Sequence, residues 1–281
     1  MIGRFGHVRF WIRLLRPMTD ARPVISFEDI SKSYDDGNVT VLERVSLSMR
    51  EREFLAIVGP SGSGKTTLLR LVNRLTDAST GIVRVEGEDV RTLDAVALRR
   101  RIGYVFQGVG LFPHMTVGEN ISITPKLLGW DQPRMAARVD ELIDLVRLDR
   151  VKHRDRFPRE LSGGEGQRVG VARALAAKPR IVLMDEPFGA LDPLTRDALG
   201  QDYRRLHDEL GLSTIMITHD TLEAVLLADR IAVIQAGRIV AVDTPHALMS
   251  KGQNAYVRAL MATPLRQAER LQALADRQQP N

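Results

Sequence analysis

The stretch that decides the fold is Gly59-Pro60-Ser61-Gly62-Ser63-Gly64-Lys65-Thr66, which follows the apolar run FLAIV (Phe54 to Val58) and opens the helical run TTLLRLVNRL. It fits G-x-x-x-x-G-K-[S/T] in the strand-to-helix context that this pattern requires. Its glycines let successive backbone N–H groups turn inward as an anion nest, at a helix N-terminus whose dipole also favours phosphate. In such a loop Lys65 reaches the β- and γ-phosphates of a nucleotide, the Thr66 hydroxyl is suited to Mg²⁺, and Thr67 completes the candidate phosphate-binding set.

Working outward, Ile181 to Met184, Ser213 to Ile217 and Ile231 to Ile234 are, like FLAIV, short and without charge, apolar throughout but for Ser213 and Thr214. Such runs suit parallel strands covered on both faces. Between them lie helical patterns over Lys65 to Arg74, Pro133 to Leu148, Glu165 to Ala176 and Thr195 to Leu210, so the class is α/β. Val24 to Ser31 and Val39 to Met49 alternate only in part and are expected as half-exposed strands at the start of a mixed sheet. From about 107 to 168 the strand signal gives way to helical periodicity punctuated by Pro and Gly, which implies an all-helical insertion.

Composition sets the outer bounds. With 281 residues, 44% hydrophobic and 27% charged, the chain has the make-up of a folded protein of one or two domains. The absence of cysteine excludes disulfides, zinc-thiolate sites, iron–sulfur clusters and thiol catalysis. No apolar run approaches the ~18 residues needed to cross a bilayer. The net charge of +5 is concentrated in a leader, Met1 to Pro17, that holds Arg4, Arg9, Arg13 and Arg16 and no acid. Without those arginines the body is nearly neutral, so a nucleic-acid partner is not expected. Residues 1–23 are expected as a disordered basic extension, or as an over-extended start with Met18 as initiator; a basic amphipathic membrane-surface segment is the other reading.

The second motif is the apolar strand IVLM ending in Asp185 and Glu186. Carboxylates at the C-terminal edge of a parallel strand face the crevice where ligands bind. Asp185 is suited to hold Mg²⁺, and Glu186 to orient and deprotonate an attacking water. The third is Leu161-Ser162-Gly163-Gly164-Glu165-Gly166-Gln167-Arg168, a Gly-rich helix start with Ser162 as N-cap and Glu165 three residues on, the spacing of a capping box. It implies a second anion site.

In this order, with MDEP downstream, the three motifs closely resemble those of ATP-binding cassette (ABC) ATPases over about Val24 to Ser250. Glu165 stands where the usual core, LSGGQ, has Gln, and Gly166 stands where a polar residue is commoner. A glycine there costs up to ~1 kcal/mol of helix stability relative to Ala. The resemblance implies a P-loop NTPase cassette with a RecA-like mixed sheet plus an all-helical subdomain at about 107–168, and a short C-terminal helical tail over 251–281. It further implies that Tyr34 stacks on adenine, that Gln107 touches Mg²⁺ and water, that Asp192 lies in a loop crossing a dimer interface, and that His219 contacts the γ-phosphate.

In such a family two subunits sandwich each ATP, with Ser162, Gly163, Gly164 and Glu165 of one closing on the phosphate loop of the other. The implied assembly is a homodimer at the cytoplasmic face of the cell membrane, seated on two integral membrane permease subunits and served by an extracytoplasmic solute-binding protein. Val109, Leu111, Phe112, Met115 and Val117 are expected as an apolar patch for a permease helix. The run GVGLFPHMTVGENI followed by PKLLGW resembles the ATPases of osmoprotectant importers for glycine betaine, choline or related quaternary amines; an amino-acid or lipid importer is the alternative. After Gln253 too few residues follow for the paired CBS modules that several such relatives append. A soluble ABC ATPase of DNA or ribosomes would need coiled-coil or zinc insertions or a second cassette, and a kinase would leave LSGGE unexplained.

Overall fold

The computed structural model describes residues 23–251, 254–263 and 266. The leader and most of the tail expected over 251–281 lie outside the described residues. In chain order the strands are β1 (Ile25–Tyr34), β2 (Val39–Met49), β3 (Phe54–Val58), β4 (Thr80–Val85), β5 (Glu88–Asp89), β6 (Ile102–Val105), β7 (Ile181–Asp185), β8 (Ser213–Thr218), β9 (Arg230–Gln235) and β10 (Arg238–Asp243). The helices are α1 (Lys65–Val72), α2 (Ala95–Arg101), α3 (Val117–Leu127), α4 (Gln132–Leu145), α5 (Arg150–His153), α6 (Gly163–Leu175), α7 (Pro193–Leu210), α8 (Thr221–Leu227) and α9 (Pro245–Lys251). No helix among the described residues is long and apolar enough to cross a membrane.

A six-stranded sheet runs in the order β10-β9-β3-β8-β7-β6, parallel except where β10 turns back against β9. Its central strands β3, β8 and β7 are buried at every position because both faces are covered. Phe54, Ala56 and Val58 of β3 enter one core with Val182 and Met184 of β7, Met216 of β8, and Ile231 and Val233 of β9. Leu55 and Ile57 enter the opposite core with Ile181, Leu183, Ile215, Ile217, Ala232 and Ile234. The pleat, with side chains alternating between faces, divides each run between two cores.

The expectation that β1 and β2 open this mixed sheet is corrected: they form a separate four-stranded antiparallel sheet, in the order β2-β1-β4-β5. The physical reason is their partial alternation, which makes only one face of each strand apolar. Ile25, Phe27, Ile30, Leu42, Val45 and Leu47 pack down on the second core, while Glu28, Asp29 and Arg44 face outward.

Residues 107–168 contain no strand. Each helix there starts on a side-chain cap: Thr116, Asp131, Asp149 and Ser162 accept from the backbone N–H of Glu119, Arg134, Lys152 and Glu165. Val117, Ile121, Val139, Leu142 and Ile143 are buried with Val169 of α6 in the first core. The long α6 thus runs out of the helical part onto the sheet. Past α9, residues 255–263 are helical, and Leu248, Val257 and Met261 enter that same core.

Candidate functional site

Four loops leave the C-terminal ends of adjacent parallel strands. Register aligns those ends: Val58 with Thr218, Asp185 with Ile217, and Val105 with Met184. The loops after β3, β6, β7 and β8 therefore meet at one edge, and they carry Gly59 to Lys65, Gln107, Glu186 and His219. Ligands of open α/β sheets bind at that edge.

The phosphate loop is held where its shape depends on glycine. A Cβ on Gly59 would lie 2.1 Å from the Ile234 carbonyl oxygen. Gly64 has φ of +97° and sits where a Cβ would meet Leu42 at 2.6 Å. The Lys65 ammonium is buried and donates to the carbonyls of Gly59 at 2.8 Å and Pro60 at 2.9 Å. Burial pulls its pKa down, while Glu186 and Asp185 oppose that shift. Inside the loop the Ser63 hydroxyl is buried without a hydrogen-bond partner. A buried polar atom of this kind fits a phosphate-oxygen acceptor.

Thr66 donates from Oγ1 to Asp185 Oδ1 at 3.1 Å. Asp185 is buried, which raises its pKa, and hydrogen bonds from Thr66 and Tyr104 oppose that rise. Hard oxygen donors of this type suit Mg²⁺, which typically takes one or two protein ligands and completes its shell with phosphate and water. Among the described residues no cluster of three or more His, Asp or Glu could hold a metal unaided.

Glu186 occupies the left-handed region at φ 45°, a costly conformation for a non-glycine residue. Its N–H donates to the Ile217 carbonyl at 3.0 Å, which ties it to β8. Gln107 Nε2 donates to its Oε2 at 3.1 Å, and His219 Nδ1 lies 3.2 Å from the same oxygen. The structure thus brings Lys65, Thr66, Gln107, Asp185, Glu186 and His219 into one cluster.

Ser162, Gly163 and Gly164 lie in a different cleft of about 580 Å³, lined also by Leu191, Asp192 and Thr195. Ser162 and Glu165 close a capping box, with Ser162 N–H donating to Glu165 Oε2 at 2.8 Å. Both Glu165 oxygens are engaged within the chain, since Oε1 lies 2.9 Å from His153 Nε2. Asp192 caps α7 by accepting from the Thr195 N–H at 3.1 Å. Tyr34 ends β1 as an exposed ring with the Lys32 ammonium 4.7 Å above it.

Two readings change. Gly166 is no weakness in α6, because a Cβ there would meet Val109 Cγ1 at 2.8 Å, so the glycine admits the segment that follows Gln107. Of the five residues expected to form an apolar patch, Val117 is fully buried, Leu111 packs on the core, and Val109 lies against Gly166. Phe112 is exposed, and it joins Phe106 and Leu127 around a cleft of about 600 Å³ between sheet and helical part. Arg173 sits 5.6 Å and 5.8 Å from the Phe106 and Phe112 rings. Tyr104, His153 and Arg173 escape a reading of the sequence. The one signal is the lone phenol of Tyr104 in an otherwise apolar strand.

A family model described as ABC transporter matches residues 42–189. The chain is 46% identical over 234 residues to a glycine betaine/carnitine/choline transport ATP-binding protein of Bacillus subtilis, covering 83% of this chain and 61% of that protein. It is 44% identical to an osmoprotectant import ATP-binding protein of Salmonella typhimurium, covering 83% and 62%. It is 43% identical to a glycine betaine uptake system ATP-binding protein of Escherichia coli, covering 84% and 75%. The chain spans about three fifths of the length of the first two. Among solved structures, the ATP-binding cassette MJ0796, a dimer in a post-hydrolysis state with ADP and Pi, superposes with a TM-score of 0.71 at 32% identity, covering 78% of this chain and 98% of that one.

Proposed function

The chain belongs to the ABC transporter family, and from that premise we propose that it is the ATP-hydrolysing subunit of an importer for quaternary-amine osmoprotectants such as glycine betaine or choline. The observation that carries the ATPase reading is the cluster at the strand ends, with Glu186 held by Gln107 and His219 beside the buried Lys65. In this reading the backbone N–H groups of Ser61 to Thr67 and the Lys65 ammonium bind the β- and γ-phosphates, and Tyr34 offers its exposed ring to adenine. Glu186 takes the proton of the attacking water, since its carboxylate is fixed at its backbone and on both sides of one oxygen. Lys65 and His219 stabilise charge on the transferring phosphoryl group. Mg²⁺ on Thr66, Asp185 and Gln107 would neutralise charge that builds between the β- and γ-phosphates.

The signature residues stand in a cleft apart from this cluster, which supports a homodimer in which Ser162, Gly163, Gly164 and Glu165 complete the partner's site and Asp192 lines the seam. The cassette would span at least 24–250, with its helical part at 107–168. The cleft bearing Phe106, Phe112 and Leu127 is the proposed seat for a permease helix, and with that seat filled the protein would lie peripherally at the cytoplasmic face of the membrane. The names of its relatives support the solute class, and cargo recognition itself would fall to an extracytoplasmic binding protein.

Glu186→Gln should lower turnover by about 10² to 10⁴, the usual worth of a general base, while ATP binding persists and an ATP-held dimer accumulates. Near-normal turnover would remove the assignment. Lys65→Ala should weaken ATP binding itself, read by a fluorescent nucleotide. Uptake of labelled glycine betaine or choline at high osmolarity, compared between the parent chain and Lys65→Ala, tests the solute apart from the ATPase.

A further inference from the structure

We propose that His153, as an imidazolium, is a positioning residue of the signature motif: it holds Glu165 in the capping geometry that presents Ser162, Gly163 and Gly164, and its deprotonation loosens that hold. This rests on the ATPase reading above. His153 is buried at the end of α5, with its Nδ1 2.8 Å from the Asp149 carbonyl oxygen and its Nε2 2.9 Å from Glu165 Oε1. A backbone carbonyl can only accept, and so can an ionised carboxylate. Hydrogen bonds from the Ser162 backbone and from His153 hold the Glu165 pKa down to about 2, so it is ionised throughout the ordinary pH range. Both ring nitrogens must therefore donate, and only the imidazolium does so. A neutral ring would satisfy one acceptor and turn a lone pair on the other.

The residue at 165 makes this tie charge-dependent. An amide, as in the usual LSGGQ core, could donate to a neutral ring nitrogen and still accept from Ser162; a carboxylate cannot. Of the other charged groups nearby, Lys152 and Asp155 are exposed to solvent and four more have partners of their own. The Asp149 carboxylate accepts from the Lys152 N–H, Arg150 pairs with Asp144, Arg154 pairs with Asp140, and Arg168 of α6 bonds Asp202 and the Val146 carbonyl. Glu165 thus has His153 as its counter-ion. The sign follows from the donors: the tie needs both ring protons, so losing one to base weakens it.

Two measurements on the full chain test this. In ¹⁵N-histidine NMR at pH 7, with the signal identified by its loss in His153→Phe, both ring nitrogens of His153 should carry protons; a neutral tautomer overturns the proposal. In the Glu186→Gln background, ATP-driven dimer formation is followed by light scattering from pH 6 to 9. The half-saturating ATP concentration should rise about tenfold with pH, the worth of one charge-assisted hydrogen bond. His153→Phe should hold it high and flat, and Glu165→Gln should abolish the rise. Identical curves for all three chains overturn the proposal. If no chain dimerises at any pH, the ATPase reading fails, and the NMR result decides the state of His153 alone. Should His153→Phe not fold, Glu165→Gln identifies the coupled signal.

Discussion

The carboxylate of Glu186 shows how much a single residue's role depends on what lies around it. An acid after an apolar strand is common, but this one sits in a left-handed backbone conformation with Gln107 and His219 on one oxygen. Strain of this kind persists only where surrounding structure enforces it, here the bond to Ile217 of β8. His207 makes the opposite case, a titratable group used for packing. It is buried against Phe54 at 5.1 Å and lies 3.0 Å from the Thr214 hydroxyl, and burial pulls its pKa from 6.5 to about 4. Since the unfolded chain binds the proton more readily, the stability tied to a neutral His207 is complete above pH 6.5 and is lost as pH falls toward 4. Urea unfolding at pH 7 and pH 4.5 should show a smaller acid loss for His207→Gln than for the parent chain.

Helix α6 joins the signature cleft to the sheet, and its small residues set how closely the loop after Gln107 can approach. Helix propensity alone says that Gly166→Ala should stabilise α6 by up to ~1 kcal/mol. Steric contact says otherwise, because the new methyl would lie 2.8 Å and 3.1 Å from the two Val109 methyls. Overpacking costs about 1 to 3 kcal/mol, so it outweighs the gain. The expected result is a net loss of about 1 kcal/mol in chemical denaturation, with recovery when Val109→Ala is added to the same chain. Gly166→Ala more stable than the parent would show that the loop yields freely.

On the scale of the whole molecule, one buried carboxylate on α7 adds a polar tie between the helical part and the layer that covers the sheet. Asp202 of α7 lies 3.0 Å from Arg168 of α6, 3.2 Å from Arg147 just past α4, and 2.6 Å from Arg205. Removing one partner of a buried pair costs ~3 to 5 kcal/mol, but Arg147 and Arg205 are exposed and can return to water. Asp202→Ala should therefore cost about 2 kcal/mol. Hydrogen exchange should rise in 107–168 more than in β3, β7 and β8. A uniform rise across the chain would mean that Asp202 supports global stability and does not tie the two parts together.

The strands of the parallel sheet, the phosphate loop, the Asp185–Glu186 pair and the capped start of α6 were legible in the sequence because each is a local pattern. An apolar run, a glycine spacing or a cap at three residues' distance is a short-range constraint on backbone and solvation. The placing of β1 and β2 in a sheet of their own was not legible, since alternation says that a strand has one wet face but not which strand it pairs with. Nor was the inward packing of Val109, Leu111 and Val117, which depends on where α6 passes. Gln107 and His219, named singly along the chain, meet on one oxygen of Glu186 only because strand order and register bring three loops together. His153 and Glu165 show the same division. The capping box was readable from spacing, but the counter-ion arrives from another helix, and only tertiary packing could dictate that its ring face two acceptors and carry a charge.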